Sequence, residues 1–545
     1  MASFGTWDRH HYLRVYRPDV PRPDHREGQL WANSTGVGPD ETFEVVRIDA
    51  TRFGLKIWGC YLSAQPNGTL EVNRPALRSW EQWALVPAVN GGMALQSVAW
   101  GYVVRVEGGG GGMVNTAAMP GVWETFFPEG IGQGMAPRPS GPLTPVRRWG
   151  HALGDASGPI PFVGVSRFYH GHAMTYDRDR VRRDNDADVA AGYTYKRVMY
   201  QVQSLRGDTY WNGVEADPNH PRHLESVRWD LEQCRAQGLR VVATLIGKGG
   251  DMGRQAARRE YVKRMAEVLS AYPDVVLCAE IMNEPSVLGD VTASELQELV
   301  GVYRSSHNTD LVATGSYWGE EGVAFDDQWR RTQGPIGCIH LDRDTTLSEM
   351  QDRPWRQPWD VGLIGQPWLD NEPIGPRASV ASETRPEVLR SHRLVALISR
   401  AVATCFHCDE GIRGFGNAQD VPGYRECPNA TRFLPRDVAN GDMQNANARF
   451  PLRHWDLPPD LLRSSNGNRF GIVRAYGTQI AGTQYTVPFG PVSSYYLVAR
   501  QDLKVTVHSQ VGSGRAGAPQ TVRAGARLSF DGKEPDALIV SSPIS

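Results

Sequence analysis

Eight short apolar segments recur between residues 160 and 410, and they limit the possible folds more than any other feature of the sequence. They are FVGVS (162–166), RVMYQV (197–202), RVVATLI (240–246), VVLCAEI (275–281), LVATG (311–315), CIHL (338–341), a segment ending in WLDNE (368–372), and AVATCFH (401–407). Amphipathic helical patterns such as HLESVRWDLEQCRAQG lie between several of them. Short apolar runs that alternate with helices predict a parallel sheet. Eight such units over roughly 250 residues predict a (β/α)₈ barrel.

The rest of the chain predicts further domains, because 545 residues exceed what one hydrophobic core usually organises. Residues 1–135 show short, turn-rich β patterns. The Gly- and Pro-rich stretch EGIGQGMAPRPSGP (129–142) is typical of a linker, and we assign 136–160 to it. The barrel is assigned to 161–465, with a late Asn-, Pro- and Arg-rich insertion that predicts no clear element. Alternating patterns in 466–545 predict a small antiparallel, sandwich-like β domain.

The first 135 residues contain a loose threefold repeat. Phe43 follows DET, Trp83 follows WEQ and Phe126 follows WET, at intervals of about 40 residues. Strand–turn–strand patterns such as YLSAQPNGTLEVN precede these aromatic residues. Three such units predict a β-trefoil, and YLSAQPNGTLEVN and WETF resemble fascin-like trefoil domains. In such domains the repeated aromatic residue fills the core, and the alternative is sugar binding between repeats.

Charge and hydropathy exclude several functional classes. The formal net charge of −2, with scattered basic residues, argues against a nucleic-acid partner. The sequence lacks the run of about 20 apolar residues that membrane insertion requires. The N-terminal MASFGTWDRHHYLRVYRPDV has no apolar signal-peptide region, so a cytoplasmic or virion-associated location is expected. Assembly into a larger particle stays open.

The cysteines predict neither disulfides nor a metal site. Seven cysteines are an odd and sparse number for this length, which argues against a disulfide framework. Cys405 and Cys408 form a CxxC near His407 and Cys427, which would suit zinc. Both cysteines, however, lie in or beside an apolar segment, without a second CxxC, and we interpret them as buried structural residues. We expect no metal and no cofactor.

Two Asn-Glu-Pro tripeptides follow predicted barrel strands. Asn283 and Glu284 follow the fourth apolar segment, and Asn371 and Glu372 end the seventh. Catalytic residues of barrel enzymes lie at the carboxyl ends of strands. Cleavage of a glycosidic bond needs two carboxyl groups, one to protonate the leaving oxygen and one to stabilise or attack the developing oxocarbenium ion. The two glutamates therefore form a candidate catalytic pair, and the alternative for Glu284 is a cap on the following helix.

Residues 160–415 resemble the large clan A of retaining (β/α)₈ glycoside hydrolases, and most closely the cellulase-like family 5. The strongest stretch is AYPDVVLCAEIMNEP, where helix end, strand and catalytic turn follow in the family's order. The resemblance implies that Glu284 is the general acid/base, that Glu372 is the nucleophile and that Asn283 contacts the sugar 2-hydroxyl. It implies a retaining hydrolase that cleaves a β-linked poly- or oligosaccharide through a covalent glycosyl-enzyme, with carbohydrate as the partner.

The same resemblance assigns supporting residues. Arg197, in GYTYKRVM, matches the strand-two Arg that supports the nucleophile, and His340 ends strand six where the clan often has a His. Trp318 and Trp368, together with Trp211, are candidates for stacking on sugar rings.

The sequence also departs from the family. Strand three ends in TLIGKGG without the usual His, and strand eight ends in FHCDEG without the usual Trp. These departures leave a second hypothesis open, a carbohydrate-binding or structural virion component with an inactive barrel. Four other carboxylates compete with Glu372 for the nucleophile's role: Glu280, Glu320, Glu321 and Glu410.

Overall fold

The structure, a computed structural model, divides the chain into two compact units, Met1–Ser140 and Gly141–Ser545. Each unit is described by itself. The residues that the structure describes are 3–6, 8, 10–17, 29–48, 52–87, 93–109, 114–118, 123–129, 142–202, 216–247, 252–285, 291–307, 309–318, 334–341, 353–355, 358, 363–373, 375–376, 383–414, 416–431, 433–445, 453–456, 475–488, 495–508, 517–530 and 537–544.

The first unit consists of antiparallel β-sheets, one of four strands and one of eight in its described part. The strands are Ser3–Gly5, Tyr12–Val15, Leu30–Ser34, Glu44–Arg47, Arg52–Ile57, Cys60–Ala64, Leu70–Arg74, Trp83–Pro87, Met93–Ser97, Val103–Val106, Val114–Ala117 and Phe127–Glu129. Short 3₁₀ turns lie at Ser79–Glu81 and Glu107–Gly109. The all-β content predicted for this region is therefore present.

The three repeated aromatic residues lie in one hydrophobic core. Phe43, Trp83 and Phe126 are fully buried and belong to the same cluster. Phe4 joins two of them, with its ring centroid 5.9 Å from that of Phe43 and 6.4 Å from that of Phe126, both edge-on. Core packing is thus the role of these aromatic residues, whereas the threefold trefoil arrangement stays a prediction.

The acidic residue in the first two repeat motifs has a local structural role. Glu41 accepts a hydrogen bond from the backbone N–H of Gly38 at 2.8 Å, and Glu81 accepts one from that of Arg78 at 2.9 Å. Both glutamates are buried. Each carboxylate satisfies a backbone donor three residues earlier and so fixes the turn that leads into the core aromatic residue.

The second unit contains a closed barrel of eight parallel strands, as the sequence predicts. In order they are Phe162–Ser166, Tyr195–Met199, Arg240–Ile246, Val276–Asn283, Val312–Trp318, Gly337–His340, Trp368–Asp370 and Ala401–Phe406. Side chains of complementary size fill the barrel interior. Gly164 leaves room for the ring of Tyr195 on the next strand, because a Cβ atom at residue 164 would lie 2.3 Å from that ring.

Helices connect the barrel strands. They are His170–Tyr176, Arg178–Ala191, His223–Gln237, Gln255–Leu269, Ala293–His307, Pro386–Ile398 and Asp409–Arg413. Further 3₁₀ turns lie at Leu363–Gly365, Ala418–Asp420, Pro428–Thr431 and Val438–Asn440. None of the described helices is long and apolar enough to cross a membrane.

The assignment of 136–160 to a linker is corrected for its second half. Residues Arg147–Trp149, Ala152–Asp155 and Gly158–Pro159 form a three-stranded antiparallel sheet. Leu153 packs into the barrel core, and Asp155 accepts a hydrogen bond of 2.5 Å from Arg240 at the start of the third barrel strand. The segment therefore covers the amino end of the barrel.

The C-terminal part forms a six-stranded and a three-stranded antiparallel sheet. Its strands are Asp442–Asn445, Trp455–Asp456, Ala475–Ile480, Thr483–Pro488, Tyr495–Ala499, Leu503–His508, Pro519–Val522, Arg527–Phe530 and Leu538–Pro543. The first two lie in the stretch that predicted no clear element, so these sheets begin before residue 466. Helix Pro386–Ile398 of the barrel shares a core cluster with Tyr476 and Val487 of the larger sheet.

Candidate active site at the carboxyl end of the barrel

The fourth barrel strand delivers Asn283 and Glu284 to the barrel mouth. Asn283 is its last residue, and Glu284 has a positive φ of 42°, a conformation that costs a non-glycine residue of order 1 kcal/mol. Gly315 on the fifth strand leaves room for this turn, because a Cβ atom there would lie 2.4 Å from the Met282 carbonyl oxygen and 3.0 Å from the ring of Pro285. The turn directs the Glu284 side chain, 17% exposed, toward His340.

Glu372 lies two residues beyond the seventh strand and is 5% exposed. One carboxylate oxygen of Glu284, one of Glu372 and a ring nitrogen of His340 all lie within 4.8 Å of one another. His340 Nδ1 is 2.8 Å from Glu284 Oε1, and its Nε2 is 3.4 Å from Glu372 Oε1. The structure thus brings together the three residues that the sequence placed at strands four, six and seven.

Arg197, in the middle of the second strand, links the two strands that carry the glutamates. Its Nη1 donates to Glu372 Oε1 at 2.5 Å, and its Nη2 donates to Asn283 Oδ1 at 2.8 Å. Its Nε and Nη2 both donate to Glu280 Oε2, at 3.0 and 2.8 Å. Burial would lower the pKa of Arg197, but the charges of Glu280 and Glu372 raise it above its ordinary value. The guanidinium therefore stays positive beside Glu372.

Glu280, which the sequence left as an alternative nucleophile to Glu372, lies deeper in the barrel. It is fully buried, and Thr244 on the third strand donates a hydrogen bond of 2.6 Å to its Oε2. Its carboxylate serves as a counter-ion for Arg197. Glu410 is buried in the helix that follows strand eight, and Glu320 and Glu321 lie outside the described residues.

His407 is a site residue to which the sequence assigned no catalytic role, because it stood out only beside the CxxC and where the family has a Trp. It follows the eighth strand, is fully buried, and places Nε2 3.7 Å from Glu372 Oε2. Its Nδ1 is 2.8 Å from the hydroxyl of Ser166, the last residue of the first strand. The signal available in the sequence was the polar ending of an otherwise apolar strand, AVATCFH.

Of the predicted aromatic subsite residues, Trp368 is corrected. It is fully buried on the outer side of the barrel, where its Nε1 donates to the Ser399 carbonyl oxygen at 3.2 Å and its ring shares a cluster with Ala396. A ring enclosed in this way has no face for a sugar. Trp318 ends the fifth strand, but its side chain lies outside the described residues, as does Trp211. A substrate role for Trp318 stays a prediction.

The residues with metal-ligand geometry are those of the site itself. Among the described residues, Glu284, His340 and Glu372 could hold a divalent ion. In the part of the chain that the structure describes, the CxxC belongs to no group of three His, Cys, Asp or Glu side chains close enough to share an ion, which argues against the zinc interpretation. Burial raises the pKa of Cys405 to about 12 and that of Cys408 to about 11. Burial also raises the pKa of Cys427 to about 11. The expectation that catalysis needs no metal stays a prediction.

Comparisons with solved structures agree with the barrel fold. No protein-family model and no curated protein matches the chain. A protein described as a glycoside hydrolase is 13% identical, with a TM-score of 0.52, and the match covers 74% of this chain and 97% of the other. A glycoside hydrolase family 5 protein from Bacteroides vulgatus is 14% identical, with a TM-score of 0.47 and coverage of 74% and 94%. At 13% identity, the likeness to the first of these proteins concerns the fold alone.

Proposed function

We propose that the protein is a retaining glycoside hydrolase that cleaves a β-linked poly- or oligosaccharide. The observation that carries the proposal is the spacing of Glu284 and Glu372, which have oxygens within 4.8 Å of each other at the mouth of the barrel. Retaining enzymes hold their two carboxyl groups roughly 5–5.5 Å apart, whereas inverting enzymes need roughly 6.5–9.5 Å to admit a water molecule. The observed spacing favours direct attack by one carboxylate.

The surroundings of the two glutamates support a role for each. Glu372 accepts a hydrogen bond from the positively charged Arg197, and this contact fixes the carboxyl group in place for attack, as a nucleophile requires. Glu284 is more exposed and lies against His340, an arrangement suited to exchanging a proton with a leaving group and later with water. Asn283 accepts a hydrogen bond from Arg197 through its side-chain carbonyl oxygen. Its Nδ2 amide group is therefore the end that suits donation to a sugar hydroxyl oxygen.

The reaction then proceeds in two displacements. Glu372 attacks the anomeric carbon while Glu284 protonates the departing glycosidic oxygen, which leaves a covalent glycosyl-enzyme. Glu284, now a carboxylate, takes a proton from water as that water attacks the same carbon and releases Glu372. Two inversions at one carbon give net retention.

The stereochemistry of the first product tests this proposal. Proton NMR of a digest should show that the new reducing end first appears with the anomeric configuration of the substrate. Glu372→Gln should abolish the covalent intermediate that mass spectrometry detects, and Glu284→Gln should slow cleavage most for poor leaving groups. Azide should partly rescue Glu284→Ala, because it attacks the intermediate without base assistance. An inverted product would refute the mechanism, and a folded protein that binds glycans without cleaving any would support the rival hypothesis of an inactive barrel.

A further inference from the structure

Ser166 and His407 form a buried pair directly beside the proposed nucleophile. Ser166 ends the first strand and His407 directly follows the eighth, and these two strands pair in parallel to close the barrel. Both side chains are fully buried, and Ser166 Oγ lies 2.8 Å from His407 Nδ1 and 3.5 Å from Cys405 Sγ. Nothing in the proposed two-step reaction uses this pair.

The neighbours of the two ring nitrogens together select the one that carries the proton, because the Ser166 hydroxyl can either donate to Nδ1 or accept from it. If neutral His407 were protonated on Nδ1, the lone pair of Nε2 would face Glu372 Oε2 at 3.7 Å, which is repulsive for a carboxylate. If the Ser166 hydroxyl donates a hydrogen bond to Nδ1, the ring proton lies on Nε2 and faces Glu372 Oε2. In this second arrangement the hydroxyl has an acceptor in Nδ1, and the proton on Nε2 faces the negatively charged carboxylate.

The two oxygens of Glu372 have different neighbours. Arg197 and His340 face Oε1, and His407 faces Oε2. A separation of 3.7 Å exceeds a hydrogen bond, so His407 acts on Oε2 electrostatically in this state. A movement of well under 1 Å would bring the pair into hydrogen-bond range, and catalytic contacts often tighten in this way when substrate binds.

The surroundings hold the pair rigidly. A Cβ atom at Gly375 would lie 1.6 Å from the His407 carbonyl oxygen, and one at Gly411 would lie 2.1 Å from that of Ser166. The backbone at Gly375 and Gly411 therefore packs directly against the residues of the pair, at two positions where only glycine fits. The ring of Phe168 packs against His407, with centroids 5.7 Å apart. Such packing fixes a side chain with the small tolerance that a catalytic group needs.

We propose that His407 is a positioning residue for Glu372, with Ser166 fixing the tautomer that presents Nε2–H to Oε2. The inference rests on the proposed function, since it concerns the nucleophile of that reaction. The ring of His407 faces Oε2 of the nucleophile, whereas Arg197 donates to Oε1.

Kinetics with an aryl glycoside tests the proposal. For a substrate that the wild type hydrolyses, His407→Phe should lower kcat/KM roughly 10- to 100-fold, the effect expected of one lost contact to a charged group. Pre-steady-state measurements should place this loss in formation of the glycosyl-enzyme, the step in which Glu372 attacks. Ser166→Ala should slow the same step by less, and His407→Gln, which keeps an N–H donor, should recover part of the rate. Thr404→Val is the matched control, a buried hydroxyl on the same strand outside the site, and should behave as wild type.

Nitrogen-15 NMR of histidine-labelled protein supplies a readout independent of activity. The signal that disappears in His407→Gln should show the Nε2–H tautomer in wild type and change in Ser166→Ala. An unchanged rate of glycosyl-enzyme formation in His407→Phe, or an Nδ1–H tautomer in wild type, would overturn the proposal. A wild-type protein that cleaves no glycoside would instead refute the proposed function, and the tautomer would still test the pairing of Ser166 with His407.

Discussion

At the residue scale, the positive charge of Arg197 balances two buried carboxylates at the candidate active site. Glu280 and Glu372 would be costly to bury unpaired, and Arg197 compensates both while holding Asn283 in place. The sequence could suggest Glu284 and Glu372 because each ends a recognisable strand. It could not separate Glu280 from them, because only the depth of a residue inside the barrel distinguishes a counter-ion from a nucleophile.

Arg197→Lys should lower kcat/KM by about 100-fold or more, because a lysine ammonium cannot reproduce the planar fork that serves three acceptors. Steady-state kinetics with an aryl glycoside measures this loss. Arg240→Lys is a matched control, since Arg240 is also buried in the barrel and paired with a carboxylate, Asp155, at the opposite end. It should lower the melting temperature and leave kcat/KM near the wild-type value. Equal kinetic losses in both variants would mean that Arg197 acts through stability alone.

Among the secondary-structure elements, the strands with uninterrupted apolar patterns were the predictable ones. The first and third strands begin and end where the sequence indicates, because every residue in them is buried. The second begins two residues earlier than predicted, at Tyr195, because it includes Lys196, whose buried ammonium is paired with Asp230 at 2.6 Å. Short strands such as Arg147–Trp149 escaped prediction because three residues carry too little periodicity to indicate a strand.

The helix His223–Gln237 should make folding sensitive to acid. Its first residue, His223, is buried with Nε2 3.1 Å from the Tyr261 hydroxyl, and burial lowers its pKa to about 4. The unfolded chain takes up this proton near pH 6.5, so stability should fall as pH decreases from about 6.5 to 4, by up to roughly 3 kcal/mol. Urea unfolding across that range measures the change. His223→Gln keeps a hydrogen-bonding group and should flatten the dependence, whereas His172→Gln on a neighbouring helix should not; identical slopes in both variants would contradict the assignment.

For the whole molecule, the distribution of core clusters indicates which parts stand alone. The larger unit contains both the barrel and the C-terminal sheets, and helix Pro386–Ile398 shares one core cluster with barrel strands and another with the larger sheet. The sequence predicted a separate C-terminal domain, whereas the structure places its sheets in one unit with the barrel. Alternating strand patterns reveal a change of fold class, but they do not reveal that the apolar face of a sheet packs against a barrel helix. The first unit has its own core around Phe43, Trp83 and Phe126.

A fragment of residues 1–140 should therefore fold by itself as an all-β protein. Its aromatic core is complete within that length, and the Gly- and Pro-rich stretch that follows Glu129 is typical of a boundary between domains. Circular dichroism should show β structure without helix, and amide proton shifts should be well dispersed. The complementary fragment 141–545 should keep the kcat/KM of the full chain on small aryl glycosides, because the catalytic pair and its supporting residues lie entirely within it. A disordered or helical first fragment would contradict the prediction of an independent β domain. Loss of activity in a folded second fragment would show that the first unit contributes to the site.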